Sequence, residues 1–277
     1  MVCDPRKNAW ISKGGDKDDP IDAGKLTDLL AGGFLKAVHQ SEDLSREVFK
    51  QLVGRYHERV ARRVSEGNKI VGWLRRWGVM VTAKDFAEKS LRGELLGRLP
   101  GDRELEPVRI GLELMFGGYD QAVKQEKRLR RELIKRAKKE ELIVRLEALP
   151  GISWIRASTF FVYIDTPWRF ENKSALWKYL GIGLTRSTSG SGPQSLRVDR
   201  KINRRLKSVI LGAAKTVIRC NRDDDSFAVQ HRKWKESGLS PGNARRNVAR
   251  SLACVAWGMW KSGNVYEPAR VGMKSSE

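Results

Sequence analysis

Cysteine and histidine are scarce in this chain, and acidic residues are far outnumbered by basic ones. The three cysteines, Cys3, Cys220 and Cys254, are far apart and form no Cys-x-x-Cys pair. That argues against a disulfide framework and predicts reduced thiols in a cytoplasmic protein. Only three histidines (His39, His57, His231) accompany them, too few for a Cys/His zinc module. No apolar run approaches the ~18 residues of a membrane-spanning helix, and the opening MVCDPRKNAW lacks the apolar stretch of a secretory signal. Acidic residues number 33 against 54 Lys and Arg, so the formal net charge is +21. An excess of that size predicts a polyanionic partner, nucleic acid before a membrane surface.

What is present reads as mainly α. The 277 residues are 40% hydrophobic, enough for one large domain or two modest ones. DDPIDAGKLTDLLAGG predicts a helix with Asp19 as N-cap, Pro20 at the first helical position and Gly32–Gly33 at the end. Leu26, Leu29 and Leu30 would form its buried stripe. A long helix is predicted over 41–77, with Leu44, Val48, Leu52, Val60 and Val64 inward. A second is predicted over 107–149, with Leu112, Met115, Tyr119, Ala122, Leu129 and Leu133 at near-heptad spacing. Gly117–Gly118 is a candidate kink, and Glu126 and Arg136 fall where apolar residues belong. The two make an antiparallel helical pair or a short coiled coil. Residues 124–139 of the second carry nine basic and two acidic side chains. This is either a solvated face or one that lies along a nucleic-acid backbone.

LPGISWIRASTFFVYI, from Leu149 to Ile164, begins a new unit. Its Pro-Gly between helical patterns resembles a helix-hairpin-helix turn, where backbone N–H groups can hold a phosphate. A basic helix is predicted over 200–222, and a helix pair closes the chain.

Two constellations could carry chemistry. Asp19 and Asp22 sit three apart at a helix start, where both carboxylates can hold Mg²⁺ or simply complement the helix dipole. GLTRSTSGSGPQSLRVDRKINRRLK, from Gly183 to Lys207, sets Ser187, Thr188, Ser189, Ser191 and Ser195 before eight basic residues between Arg197 and Arg219. No His or Glu within the loop can act as base, so a phosphate substrate steadied by Arg suits these hydroxyls better than an ester or amide. The bland alternative is a Gly/Ser linker.

The order of these segments resembles bacterial insertion-sequence transposases that join a RuvC-like DEDD domain to a carboxy-terminal serine-bearing transposase domain, the bridge-RNA-guided recombinase family. KDDPIDAGKLTDLL is similar to that family's Lys-Thr-Asp-x-x-Asp-Ala helix, with Asp18 in place of Thr. LPGISWIRAS resembles its Leu-Pro-Gly-Ile-Gly turn, with Ser153 in place of the last Gly. KYLGIGLTRSTSGSG is similar to its Leu-Gly-Leu segment and Ser-Gly motif, VDRKINRRLK keeps its Asn203 and Leu206 matches, and NARRNVARSLACVAWGMWKSGNVYEP resembles its closing helix.

The resemblance implies a remnant of an α/β RuvC-like (RNase H-like) domain over 1–40, a helical linker or coiled coil over 41–145, and a helical serine-bearing transposase domain over 146–277. It implies a DNA transposase or recombinase in a bacterial cytoplasm, with DNA as partner, a structured guide RNA, and a dimer or tetramer. Ser189 would be the nucleophile, with Ser191 as the alternative. Asp19 and Asp22 would be the last two DEDD acids, holding Mg²⁺. Gly151, Arg186, Arg197, Arg200, Lys201, Asn203, Arg204 and Arg205 are the candidate nucleic-acid contacts, the arginines at 186, 197 and 200 on charge alone. The two earlier acids of that set have no counterpart, because MVCDPRKN resembles the strand just before the KDDPIDA helix. The expectation is therefore a truncated copy with impaired strand cleavage. The rival expectations are a non-catalytic DNA- or RNA-binding remnant and, last, a basic helical scaffold.

Overall fold

A computed structural model describes Cys3 and residues 18–35, 37–101, 103–187, 195–197 and 202–270. Among them the protein is helical apart from one two-stranded ladder and one isolated bridge. It separates into two compact units, Met1–Leu44 and Ser45–Glu277.

In the first unit α1 spans Asp19–Ala31. It starts one residue earlier than the sequence suggests: Asp18, in extended conformation, is the N-cap, and Asp19 and Asp22 lie in the first turn. Gly33, at φ 68°, follows its end, where a side chain would be strained. The predicted stripe of Leu26, Leu29 and Leu30 is only partly covered. Leu30 is exposed, and α1 holds no buried residue among those described. Cys3 forms an antiparallel bridge with Ala37.

The second unit opens with α2 (Leu44–Arg76), followed by the short helices α3 (Ala83–Ala87) and α4 (Arg92–Gly97) and the long α5 (Glu106–Ala137). α2 and α5 run antiparallel. Ser45 meets Arg136, Arg63 meets Glu126, the ring of Tyr119 covers Gly67 and that of Trp73 covers Gly111. The inward face of α2 is only partly the predicted one: Leu52 and Val60 pack half-buried against the core. Leu44, Val48 and Val64 are exposed, while Phe49, Val53, Tyr56, Ile70 and Leu74 are buried. One residue is about 100° of helix rotation, so the two stripes are neighbours, and the larger aromatic and branched set won the core. On α5 the predicted stripe is nearer the mark: Leu112, Tyr119, Ala122 and Leu133 are buried, joined by Phe116 and Ala137. Gly117 and Gly118 stay within the helix.

The chain turns at 138–140 instead, into α6 (Glu141–Glu147). Continuing the helix would have rotated Leu142, Ile143 and Leu146 away from the core that Leu133 and Ala137 face, and the turn brings all five into one cluster. Nothing in the local composition marks the break. A smaller cluster of Ile70, Leu74, Phe86, Leu95, Leu112 and Phe116 closes the far end of the pair. There Asp85 Oδ2 accepts from Thr82 N at 2.6 Å and fixes the start of α3.

α7 (Trp154–Ile164) is the central helix, with Ala157, Phe160, Phe161, Val162 and Ile164 all buried. α8 (Lys173–Tyr179) follows, capped by Asn172. The strands β1 (Thr185–Ser187) and β2 (Ser195–Arg197) come next, then α9 (Arg204–Cys220), α10 (Ser226–Glu236) and α11 (Pro241–Ser262). α9 and α11 pack closely because Ala213, Ala214, Ala249, Ala253 and Ala256 are fully buried there, and small side chains let helix axes approach. No helix among the described residues is long and apolar enough to cross a membrane.

Candidate nucleic-acid interface

β1 and β2 form an antiparallel hairpin with Thr185 opposite Arg197, Arg186 opposite Leu196 and Ser187 opposite Ser195. Ser189 and Ser191 belong to the connection between the strands, and Arg200 and Lys201 follow β2. All four lie outside the described residues.

The root of the hairpin is built from three helices. Gly181 has φ 68°, and a Cβ there would meet Ile202 at 2.7 Å. A Cβ on Gly183 would fall 2.8 Å from Lys178 N. Gly181 is therefore pressed against Ile202 and Lys207 at the start of α9 and Gly183 against the backbone of α8, and a larger residue at either would have to displace them. Ile182 is buried, and its carbonyl accepts from Arg250 Nε of α11 at 2.9 Å. The Arg250 guanidinium also lies 5.4 Å from the Trp177 ring centroid. Burial, then the neighbouring Arg246, pushes the Arg250 pKa down, but a guanidinium stays charged.

Asn203 closes the other side. Its Oδ1 caps α9 by accepting from Leu206 N at 3.1 Å, and its backbone N donates to the Tyr179 carbonyl at 3.0 Å. The α9 first turn is all basic or neutral, which adds to the positive end of the helix dipole. Arg204 is exposed. Arg205 is half-buried, donates to the Tyr163 hydroxyl and lies 3.8 Å from Glu58 of α2. Arg205 also faces His57, whose Nε2 lies 2.9 Å from Thr159 Oγ1 and whose pKa is lowered by burial and then by that guanidinium.

Gly151 sits elsewhere, in the turn between α6 and α7. Its φ is 73°, and a Cβ would meet the Ala213 carbonyl oxygen of α9 at 2.5 Å. Arg156 holds the turn from beside it, donating to the Gly151 carbonyl and, at 3.0 Å, to Thr216 Oγ1. The Pro-Gly turn is thus fastened to the body of α9.

Of the predicted contacts, the fold brings Asn203, Arg204 and Arg205 to the hairpin root and fastens Gly151 further along α9. Asp19 and Asp22 belong to the first unit. No group of three His, Cys, Asp or Glu among the described residues is placed to hold a metal ion. Arg250 and Trp177 escaped the sequence reading. The available signal was Arg246 and Arg250, four apart on the side of α11 that also carries Ala249, Ala253 and Trp257.

Residues 144–228, from α6 into α10, match the model of the Transposase IS116/IS110/IS902 family. The chain is also similar to the protein named "Putative transposase y4pF/y4sB" of Sinorhizobium fredii (strain NBRC 101917 / NGR234). The two are 26% identical over 278 residues, which covers 97% of this chain and 68% of that relative. The hairpin, α8 and all of α9 fall inside the family match, and Arg250 of α11 lies beyond it.

Proposed function

We propose that this chain is a DNA transposase or recombinase in which Ser189 attacks a DNA phosphate. One observation carries the reading: the serine-bearing connection is held by a hairpin that is buttressed at its root and followed by a basic helix start with no acid in its first turn, within the segment similar to a transposase family. In the proposed step Ser189 Oγ bonds to phosphorus while the bond from phosphorus to one deoxyribose oxygen breaks, and that oxygen takes up the serine proton. The number of phosphate esters is unchanged, so reversal by another strand's hydroxyl needs no energy source. Arg186, Arg197, Arg200, Lys201, Arg204 and Arg205 would offset the charge that develops on the phosphate. DNA, a structured guide RNA and further copies of the chain are the proposed partners.

Asp19 and Asp22 would be ligands of Mg²⁺, which takes oxygen donors and keeps several waters. The described residues supply no third donor beside them, and two carboxylates are too few for a two-metal centre. No step above passes through the ion.

The test is a denaturing gel after incubation with DNA of the element's ends. Ser189→Ala should abolish the denaturation-resistant adduct and Ser191→Ala should keep it. An adduct that survives Ser189→Ala sinks the assignment. Binding with no adduct from any variant, wild type included, leaves the non-catalytic reading instead.

A further inference from the structure

We infer a second nucleic-acid surface on α5, separate from the hairpin and outside the segment that resembles the transposase family. Lys124, Lys127, Arg128, Arg131 and Lys135 are all exposed. At 3.6 residues per turn they fall within roughly 60° of Lys124 about the axis, a stripe about 16 Å long. The surface is argued from its electrostatics and rests on the reading above only for the kind of polyanion.

Neighbours three and four apart on this stripe are all cations, and each such pair weakens an isolated helix by about 0.2–0.5 kcal/mol. None of the five has a carboxylate within ion-pair distance among the described residues. α2, the partner helix of similar length, shows the ordinary solution. It interleaves signs in Glu47–Lys50, Arg55–Glu58 and Glu66–Lys69. Two acids interrupt the run on α5: Glu126 turns inward and pairs with Arg63 at 2.5 Å, and the exposed Glu132 stands beside the stripe without reaching ion-pair distance of its cations. A solvated helix gains nothing from this arrangement.

The stripe also has a shaped end. Lys124, Lys127 and Arg131 line a cleft with Gly117, Gln121 and Lys89. Its one acid, Asp120, is already neutralised by Arg92 at 2.7 Å and Lys89 at 3.2 Å, and its pKa is lowered, chiefly by the Arg92 hydrogen bonds. At the other end Lys138 lies 5.9 Å from the Trp154 ring, at the start of α7.

A straight track of unpaired cations fits the phosphodiester backbone of a double helix. Duplex DNA carries one charge per ~1.7 Å of axis over its two strands, so about 16 Å of duplex carries about ten phosphates, about five on each strand. The exposed stripe carries no large apolar side chain to insert into lipid. The occupant is duplex DNA, the substrate of the serine chemistry proposed above; duplex RNA carries the same backbone charge and is an outcome of the test.

The experiment measures equilibrium binding of the full chain to DNA and RNA duplexes of one sequence, from 50 to 300 mM salt. The variant replaces Lys124, Lys127, Arg131 and Lys135 with Gln. Each phosphate contact contributes about 0.9 to the slope of log K on log salt, so the slope should shrink by about 3–4. The pair Lys127→Gln/Arg131→Gln should lose about half of that. Neutralising Arg62, Arg75, Arg76 and Lys84, equally exposed elsewhere, should change it by less than about 1. Loss on DNA, with or without loss on RNA, supports the inference, and loss on RNA alone overturns it.

An unchanged slope overturns the inference and leaves the serine reading intact, because adduct formation is scored separately. No duplex binding by the wild type overturns both. Anionic vesicles bound as tightly, and lost in the same variant, also overturn it.

Discussion

Arg250 of α11 donates from Nε to the Ile182 carbonyl at 2.9 Å, a bond spanning 68 residues that ties the closing helix to the loop just ahead of β1. It couples packing of the α9–α11 core to the position of the hairpin. Arg250→Ala should lower stability by about 2 kcal/mol, by leaving a buried carbonyl unpaired and removing the stacking on Trp177. Arg250→Lys should keep DNA affinity and lose the rate of adduct formation, because an ammonium cannot reproduce the guanidinium's fixed donor geometry. Thermal melts and adduct time courses read the two effects, and full activity in Arg250→Ala would remove the positioning role.

Gly151→Ala should cost roughly 2–3 kcal/mol. The positive φ strains any L side chain, and the new methyl group meets the Ala213 carbonyl oxygen of α9. Urea unfolding measures the loss. A change below about 0.5 kcal/mol would mean the turn relaxes away from α9.

Asn203 separates capping from contact. Asn203→Ala should cost about 1 kcal/mol, and Asn203→Ser should restore most of it. If the serine variant regains stability but not DNA affinity, the Asn203 amide touches nucleic acid as well as capping α9.

Stability should depend on pH through two histidines. His57 is held below its ordinary pKa by burial and then Arg205, and His231 by burial and then Lys235. Each takes its proton more readily unfolded than folded. Their contribution is therefore steady above about pH 6.5. It falls as pH drops below that value, because the unfolded chain protonates first. Urea midpoints between pH 8 and 5.5 should decline, and the decline should flatten in His57→Asn/His231→Asn.

Glu126 looked misplaced in a heptad, and the fold explains it as the half-buried partner of Arg63 between α2 and α5. Glu126→Ala should cost about 1–3 kcal/mol by stranding the guanidinium. A double-mutant cycle with Arg63→Ala should return a coupling of about 0.5 kcal/mol or more.

Much of the candidate site was legible. The basic helix expected over 200–222 is α9, which starts at Arg204 behind the Asn203 cap, and Pro150–Gly151 reads as a turn because turn chemistry is local. The Ser187–Ser195 pairing was not legible, since a Gly/Ser run carries no hydrophobic alternation to set a strand register. Arg250 was missed for a related reason. Its partner is a backbone carbonyl, which has no signature in the sequence.

By itself the sequence determined the helical class, the excess of positive charge, the start of α1 to within a residue of Asp19, its end at Gly32–Gly33 and the Pro150–Gly151 turn. All of these act within a few residues. Only the tertiary structure decided which stripe of α2 turned inward, where the helix after Glu106 broke, and what Glu126, Gly151 and Arg250 meet. Those outcomes depend on which distant surfaces compete for the same core volume, and a 3.6-residue period leaves neighbouring faces nearly equivalent until packing chooses between them.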